Sequence, residues 1–260
     1  MQLCLDVGNS HIFGGIFNDD KISLRFRHAT ALHNTSDELG IFLKAVIKEN
    51  GCDIKKIKDI AISSVVPSLD YSLRSACIKY FNINPLFISS EIKTNLTIKI
   101  DQPSELGADL IADAVAATQL FPKKNIIIIS MGTATTFSAI NKKQEYLGVA
   151  ILPGMRLSME ALQGNTAKLF AVEIMKPPSV LGKNTTASIQ SGLYFGQLGV
   201  FREITQRITE EYFKDDAPVI IGCGGFSHLF EQEHIFTELM PDLILLGLKH
   251  ILDLNRGPQK

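Results

Sequence analysis

The 260-residue sequence predicts an α/β protein built from two duplicated lobes with mixed sheets and a cleft between them. Three observations predict it. A strand, glycine turn, strand, polar turn, strand pattern opens the chain and returns about 120 residues later. Each triplet is followed by helical periodicity and then a further buried strand. The composition, 45% hydrophobic against 20% charged, supplies apolar surface for sizeable cores and excludes a disordered chain. The lobes are expected to span residues 1–118 and 119–260.

The first triplet begins with the apolar run Gln2 to Val7, turns at Gly8-Asn9-Ser10, and continues as a strand from His11 to Phe17. The polar turn Asn18-Asp19-Asp20 leads into the alternating run Ile22 to Phe26. Thr35 and Glu38 then form a capping-box pair. Leu39, Phe42, Leu43, Val46 and Ile47 recur on one helical face, with Gly51 where a C-terminal cap belongs. A buried strand from Ile60 to Val66 stops at Pro67, and a helix with Leu69, Leu73, Cys77 and Phe81 inward follows.

In the second triplet the strands are Ile126 to Ile129, Thr135 to Ile140 and Tyr146 to Leu152, with turns at Gly132-Thr133 and Asn141-Lys142-Lys143. Gly8 therefore corresponds to Gly132, and Asp6 to Ser130. A helix over about 157–162, a long helix from about Thr185 to Tyr212, and a strand from Pro218 to Ile221 follow. The turn Gly222-Cys223-Gly224-Gly225 precedes helical structure, and a terminal helix starts near Pro241.

Charge and cysteine usage narrow the function classes. With 26 Lys+Arg against 27 Asp+Glu the formal net charge is −1, which lacks the basic excess of a nucleic-acid module. Cys4, Cys52, Cys77 and Cys223 are widely spaced with no C-x-x-C, so they read as free thiols of a reducing cytoplasm. The N-terminus meets Asp6 too early for a signal peptide, and the uncharged stretch 184–201 is too polar for a membrane span. The six histidines show no metal-ligand spacing.

The two glycine turns carry the chemistry. Glycine lets a backbone approach an anion closely, and two such hairpins at matching places in a repeat suit a polyphosphate. Asp6 is placed to hold Mg²⁺ beside the phosphates, through water. Thr133, Thr135 and Thr136 add hydroxyls, and Gly224-Gly225 offers a flat surface for a base. None of this is a Walker A loop. Asp109, in the first turns of a helix near Gly107 and Ala108, is a candidate general base, with Asp113 one turn on as its rival. Ser188, Gly192, Gly196 and Gly199 form a small-residue stripe that permits close helix approach, either inside the chain or at a subunit interface.

Together these segments resemble the type III pantothenate kinases of the acetate and sugar kinase, chaperone and actin superfamily. The matching pieces are Asp6-Val7-Gly8-Asn9-Ser10, Glu105-Leu106-Gly107-Ala108-Asp109 and Gly132-Thr133-Ala134-Thr135-Thr136-Phe137. Leu152-Pro153-Gly154 with Ala161-Leu162, Gly182 to Thr185 with Gln190-Ser191-Gly192, and Cys223-Gly224-Gly225 follow in the family's order. The resemblance implies actin-like (ribonuclease H-like) lobes and ATP-dependent phosphorylation of pantothenate, the first step of coenzyme A synthesis, by a homodimer. Carried over by position, it assigns the ATP phosphates to Asp6, Val7, Gly8, Asn9, Ser10, His11, Ile12 and Phe13, with Thr133 as a second nucleotide contact. It assigns pantothenate to Gly107, Ala108, Asp109 and Leu110, with Asp109 taking the hydroxyl proton. Thr185 is a further substrate contact offered to the neighbouring subunit's site. The resemblance also implies a monovalent cation, potassium or ammonium, beside the phosphates.

Two positions depart from the family pattern. Ser130 stands where an Asp holds the monovalent cation, so the cation requirement is expected to relax. Leu110 stands where the family has Arg, which removes five donors from the pantothenate pocket and is expected to weaken substrate binding about tenfold to a hundredfold. Lys183 and Arg156 are candidates to compensate. These departures leave two alternatives: a catalytically weakened nucleotide-binding regulator, or a kinase for another small hydroxylated acid.

Overall fold

The computed structural model describes residues 1–256. In chain order its elements are β1 (Gln2–Val7), β2 (His11–Asn18), β3 (Lys21–Ala29), α1 (Ser36–Glu49), β4 (Asp59–Ser64), α2 (Pro67–Phe81), β5 (Leu86–Phe87), β6 (Thr97–Ile98) and α3 (Ala108–Leu120). There follow β7 (Ile126–Met131), β8 (Ala134–Ile140), β9 (Glu145–Pro153), α4 (Met155–Asn165), α5 (Thr185–Tyr212), β10 (Val219–Cys223), β11 (Glu238–Leu239) and α6 (Leu243–Asn255). The chain divides into two compact units. The first holds Met1–Leu96, Asp101–Ala116 and residues 243–256; the second holds Thr97–Ile100 and Ala117–Asp242.

In the first unit the sheet order is β3-β2-β1-β4-β5. β1, β2 and β3 pair antiparallel, and β4 joins β1 in parallel. The loop Asp19-Asp20 turns tightly because Asp19 enters the left-handed region (φ 52°), which Asp tolerates. One face of the sheet sets Leu3, Leu5, Val7, Ile12, Ile16 and Phe26 against Leu39, Leu43 and Ile47 of α1 and Leu69, Leu73 and Cys77 of α2. The opposite face receives α6, and a Cβ on Gly15 would stand 2.7 Å from Leu245 Cδ1. A strand covered on both faces needs apolar side chains at successive positions, which is why β1 reads as an apolar run rather than an alternating one.

Local signals account for the helix ends. The Thr35 side chain accepts from the Glu38 amide (3.2 Å) while Glu38 Oε2 accepts from the Thr35 amide (2.7 Å), the reciprocal cap expected from the sequence. Gly51 follows α1 with φ 75°. Pro67 does more than stop a strand: β4 ends at Ser64, and Pro67 opens α2, where its missing N–H costs nothing. The terminal helix α6 belongs to the first unit, held there by Gln2 Nε2 donating to Asp253 (2.6 Å) and by the Arg256–Asp59 ion pair.

The second unit repeats the plan. Its sheet runs β11-β10-β7-β8-β9-β6, so β9-β8-β7-β10-β11 reproduces the order β3-β2-β1-β4-β5, with β6 added at the edge. The antiparallel triplet and the parallel β7–β10 pair recur as well. Ile127, Ile129, Met131 and Phe137 pack on Ile189, Leu193, Tyr194, Leu198 and Phe201 of α5 and on Phe230. Tyr194 stacks on Phe230 with centroids 4.8 Å apart and donates its hydroxyl to Glu233 (2.7 Å), which also takes Lys176 (2.7 Å).

The stripe Ser188, Gly192, Gly196 and Gly199 lies on the exposed side of α5, and a Cβ added at any of the three glycines would meet nothing within 4 Å. It is therefore not an internal packing seam of the described chain. No helix among the described residues is long and apolar enough to cross a membrane. All four cysteines are free thiols, and Cys4, Cys77 and Cys223 are buried.

Candidate active site

In the first unit, β1 delivers Asp6 and then breaks at Gly8. The Gly8 amide donates to the His11 carbonyl (3.0 Å), closing the turn. The residue after β3 pins that turn from the side: the Thr30 amide donates to Ser10 O (3.0 Å) and the Thr30 hydroxyl to Gly8 O (2.6 Å). Asn9 sits exposed at the tip, with His11 exposed beside it. Val7 and Ile12, opposite one another in the ladder, point into the core, so this pair has only its main chain to offer a ligand.

Register then builds a row of side chains across the other face. Asp6 lies opposite Phe13, Phe13 opposite Arg27, and Asp6 beside Ser63 of β4. The Arg27 guanidinium stands over the Phe13 ring, 4.1 Å from its centroid. Burial pushes the Asp6 carboxyl up to about 7, and the charge of Asp109 pushes it the same way, while Ser63 and Arg27 oppose the shift.

Asp109 occupies the first turn of α3. Its Oδ1 accepts from the Leu110 amide (2.9 Å), and the carboxylate folds back over Gly107, where a Cβ would collide with it. Glycine at 107 is thus what gives Asp109 its room. Burial raises the Asp109 pKa, and its backbone hydrogen bonds pull the other way. A carboxylate raised in this manner is a stronger proton acceptor than a solvated one. Ala108 and Leu110 are buried, and Leu110 packs as a core residue. Asp113, the rival one turn on, is buried at 5% exposure. The frame behind α3 is close: a Cβ on Gly247 of α6 would collide with the Ala112 carbonyl oxygen.

In the second unit the matching turn is Gly132-Thr133. The Gly132 amide donates to Ala134 O (3.0 Å), and the Gly154 amide donates to Thr133 O (3.0 Å). A Cβ at Gly154 would stand 2.5 Å from the carbonyl oxygens of both turn residues, so the end of β9 locks this turn by close backbone approach. Both glycine turns are therefore fastened where the third strand of their triplet ends. Thr133 is exposed. Ser130 lies opposite Thr136, whose buried hydroxyl has no hydrogen-bond partner.

The expectation that Thr135 adds a hydroxyl beside Thr136 is corrected. Thr135 lies opposite Met131, is 1% exposed, and points to the core face with Met131 and Phe137, because successive residues of a strand face opposite ways. Gly224 is likewise explained by packing. With φ 86°, it brings the chain so close to Met131 that a Cβ would stand 2.6 Å from that carbonyl oxygen, whereas Gly225 has open space. The chain then enters a 3₁₀ segment, Ser227–Glu233, rather than an α-helix. Thr185 is the exposed first residue of α5, and Lys183 and Arg156 are both exposed in the same unit.

Sequence reasoning missed Arg27, Thr30 and Ser63. Their signal was weak: an Arg in an alternating strand reads as a solvated face, and only the register shows that this face carries Asp6. Among the described residues, no cluster of three or more His, Cys, Asp or Glu is arranged to hold a metal ion by itself.

Comparison with known proteins identifies the family. A family model described as type III pantothenate kinase matches residues 2–207. A type III pantothenate kinase of Legionella pneumophila (strain Corby) is 56% identical over 249 residues, covering 96% of this chain and 97% of its own. The type III pantothenate kinase 1 of Francisella tularensis subsp. holarctica (strain OSU18) is 48% identical over 256 residues, covering 98% and 100%. Among solved structures, a Sinorhizobium meliloti protein assigned as a 2-dehydro-3-deoxygalactonokinase superposes with a TM-score of 0.66 at 10% identity, covering 100% of this chain and 98% of that one. At that identity the likeness speaks to the fold, which is the actin-like one.

Proposed function

The chain belongs to the type III pantothenate kinase family and phosphorylates pantothenate with ATP in coenzyme A biosynthesis, and we propose that Asp6 and Asp109 divide the chemistry between them. The observation that carries this is the pair itself: two half-buried carboxylates of one unit, near enough for the charge of one to raise the pKa of the other. The segment from Asp6 to Phe13 receives the ATP phosphates, at the tip of the pinned turn where Asn9 and His11 are exposed. Thr133 makes the second nucleotide contact from the other glycine turn.

Asp109 takes the proton of the pantothenate hydroxyl as that oxygen bonds to the terminal phosphorus and the bond to the ADP oxygen breaks. Gly107, Ala108 and Leu110 shape the ground around that hydroxyl, and Thr185 is offered to the neighbouring subunit's substrate. Phosphoryl transfer of this kind depends on positioning and electrostatics more than on covalent participation by the protein.

Asp6 fits a role beside Mg²⁺. Burial and a second carboxylate push Asp6 up further than Ser63 and the Arg27 charge pull it down, and a divalent ion on the nucleotide supplies the remaining positive charge. For a monovalent cation, Ser130 and the unpartnered Thr136 hydroxyl present neutral oxygens in register. That donor set fits potassium or ammonium without a carboxylate to bind it tightly, so the cation requirement is relaxed.

Self-association is supported by the outer surface of the second unit. The open glycine stripe of α5 is joined near its N-terminal end by Val180 and Leu181, 60% and 80% exposed, where Ser191 Oγ donates to Val180 O. We read this as the face on which two copies meet, in a cytoplasmic homodimer. Light scattering tests it. Gly196→Leu, which meets no neighbour inside the chain, should fold normally and run as a monomer; a variant that still runs with the parent's dimeric mass refutes this face.

The reaction is tested by ADP release from ATP, Mg²⁺ and pantothenate, in sodium, potassium or ammonium. Pantothenate-dependent release is expected in all three salts, and Asp109→Asn should lower kcat about a hundredfold to ten-thousandfold. Turnover of that variant within a few-fold of the parent would falsify the general-base assignment.

A further inference from the structure

We propose that Arg27 is a catalytic residue of this kinase, its guanidinium binding the terminal phosphate of ATP. The inference rests on the reading that the Asp6 to Phe13 segment receives the nucleotide. Its basis is the register. β3 is the edge strand of the first sheet, and three cross-strand neighbours on one face run Arg27, Phe13, Asp6. The face is set by the ladder: Phe26, the residue before Arg27, is in the core on the other side. Arg27 is thus turned towards the side of the sheet that carries Asp6, and its charge acts on that carboxylate.

Two further features suit a phosphate. Arg27 rests on the Phe13 ring, 4.1 Å from the centroid, and forms no ion pair with a carboxylate among the described residues. A guanidinium stacked by its face keeps its in-plane donors free for two parallel hydrogen bonds to phosphate oxygens. The same strand also runs directly into Thr30, whose amide and hydroxyl hold the Gly8 and Ser10 carbonyls of the glycine turn. The cation and the turn are therefore fixed on one stretch of backbone. Asp6 and Asp109 mark where the phosphoryl group is in transit, so the phosphate beside this row is the terminal one.

The bland account of Arg27 is an exposed charge on an edge strand, which discourages pairing with another chain. The two accounts differ in which nucleotide senses the residue. The experiment measures dissociation constants of Mg·ADP and of Mg·AMP-PNP for the parent, Arg27→Ala and Arg27→Met, together with kcat and the KM for each substrate. An exposed side chain is removed, so all three proteins should melt alike.

Arg27→Ala is expected to weaken AMP-PNP binding about tenfold to a hundredfold and ADP binding by less than about threefold. Its kcat should fall at least as far as its AMP-PNP affinity, and free guanidinium at millimolar concentration should restore part of kcat in Arg27→Ala. If both nucleotides weaken equally, or neither does, Arg27 does not touch the terminal phosphate and the proposal is overturned. If the parent itself binds neither nucleotide, the nucleotide reading of the Asp6 segment fails first, which distinguishes that failure from this one.

Discussion

Asp6→Asn is expected to make the nucleotide-free protein more stable while abolishing turnover. Burial and the neighbouring Asp109 lift the Asp6 pKa from an ordinary 3.8 to about 7. Between those two values the folded chain holds a proton that the unfolded chain has released. Stability therefore falls as pH rises through that window and is level above it. A difference of that size corresponds to about 4 kcal/mol, and we take about 2–3 kcal/mol after allowing for residual access of solvent.

Asn resembles the protonated acid in shape and carries no charge, so it removes the penalty. At pH 8 the variant should gain about 2–3 kcal/mol, or on the order of 5–10 °C in Tm for a chain of this size. At pH 4 the two proteins should nearly coincide, since there the parent's Asp6 is protonated as well. Paired thermal melts and urea titrations at pH 4, 6 and 8, without nucleotide or divalent ion, read this directly. A variant less stable than the parent at pH 8, or a gain that does not grow from pH 4 to pH 8, would refute the account of Asp6 as a destabilised carboxylate held for function.

Three other substitutions probe the frame and the second turn. Gly247→Ala forces a methyl into the Ala112 carbonyl where α6 crosses α3, and should cost about 1–3 kcal/mol in urea unfolding; a neutral result would mean that the helices separate freely. Thr35→Ala removes the reciprocal cap of α1 and should cost about 1 kcal/mol, read as a lower midpoint with an unchanged denaturant slope. Ser130→Asp places a carboxylate opposite Thr136 and should make turnover respond more steeply to potassium. An unchanged potassium response would remove Ser130 from the cation's surroundings.

Much of the fold was legible because its signals are local. The capping pair Thr35 and Glu38, the turn glycines and the apolar periodicity each act over a few residues, so most elements could be placed within a residue or three of where they lie. The duplication was visible for the same reason, since each triplet repeats its own local pattern. Asp6 and Asp109 were legible as carboxylates beside glycine, one ending a strand and one opening a helix. Thr135 shows the limit: a run of adjacent hydroxyls does not state its own strand phase, and only pairing with Met131 assigned it to the core. Gly224 shows another, because the backbone it must approach lies more than ninety residues earlier.

The sequence by itself determined the two α/β units, the two glycine turns, the acidic pair and the family, since these follow from residue type and short spacing. Tertiary structure alone decided three things. It placed α6 in the first unit, although that helix comes last in the chain, because Gly247 and Gly15 admit it against α3 and the first sheet. It aligned Arg27, Phe13, Asp6 and Ser63 in one row, because register is set by pairing between strands that are distant in sequence. It raised the Asp6 carboxyl, because desolvation and the nearness of Asp109 come into being only when the chain closes around them.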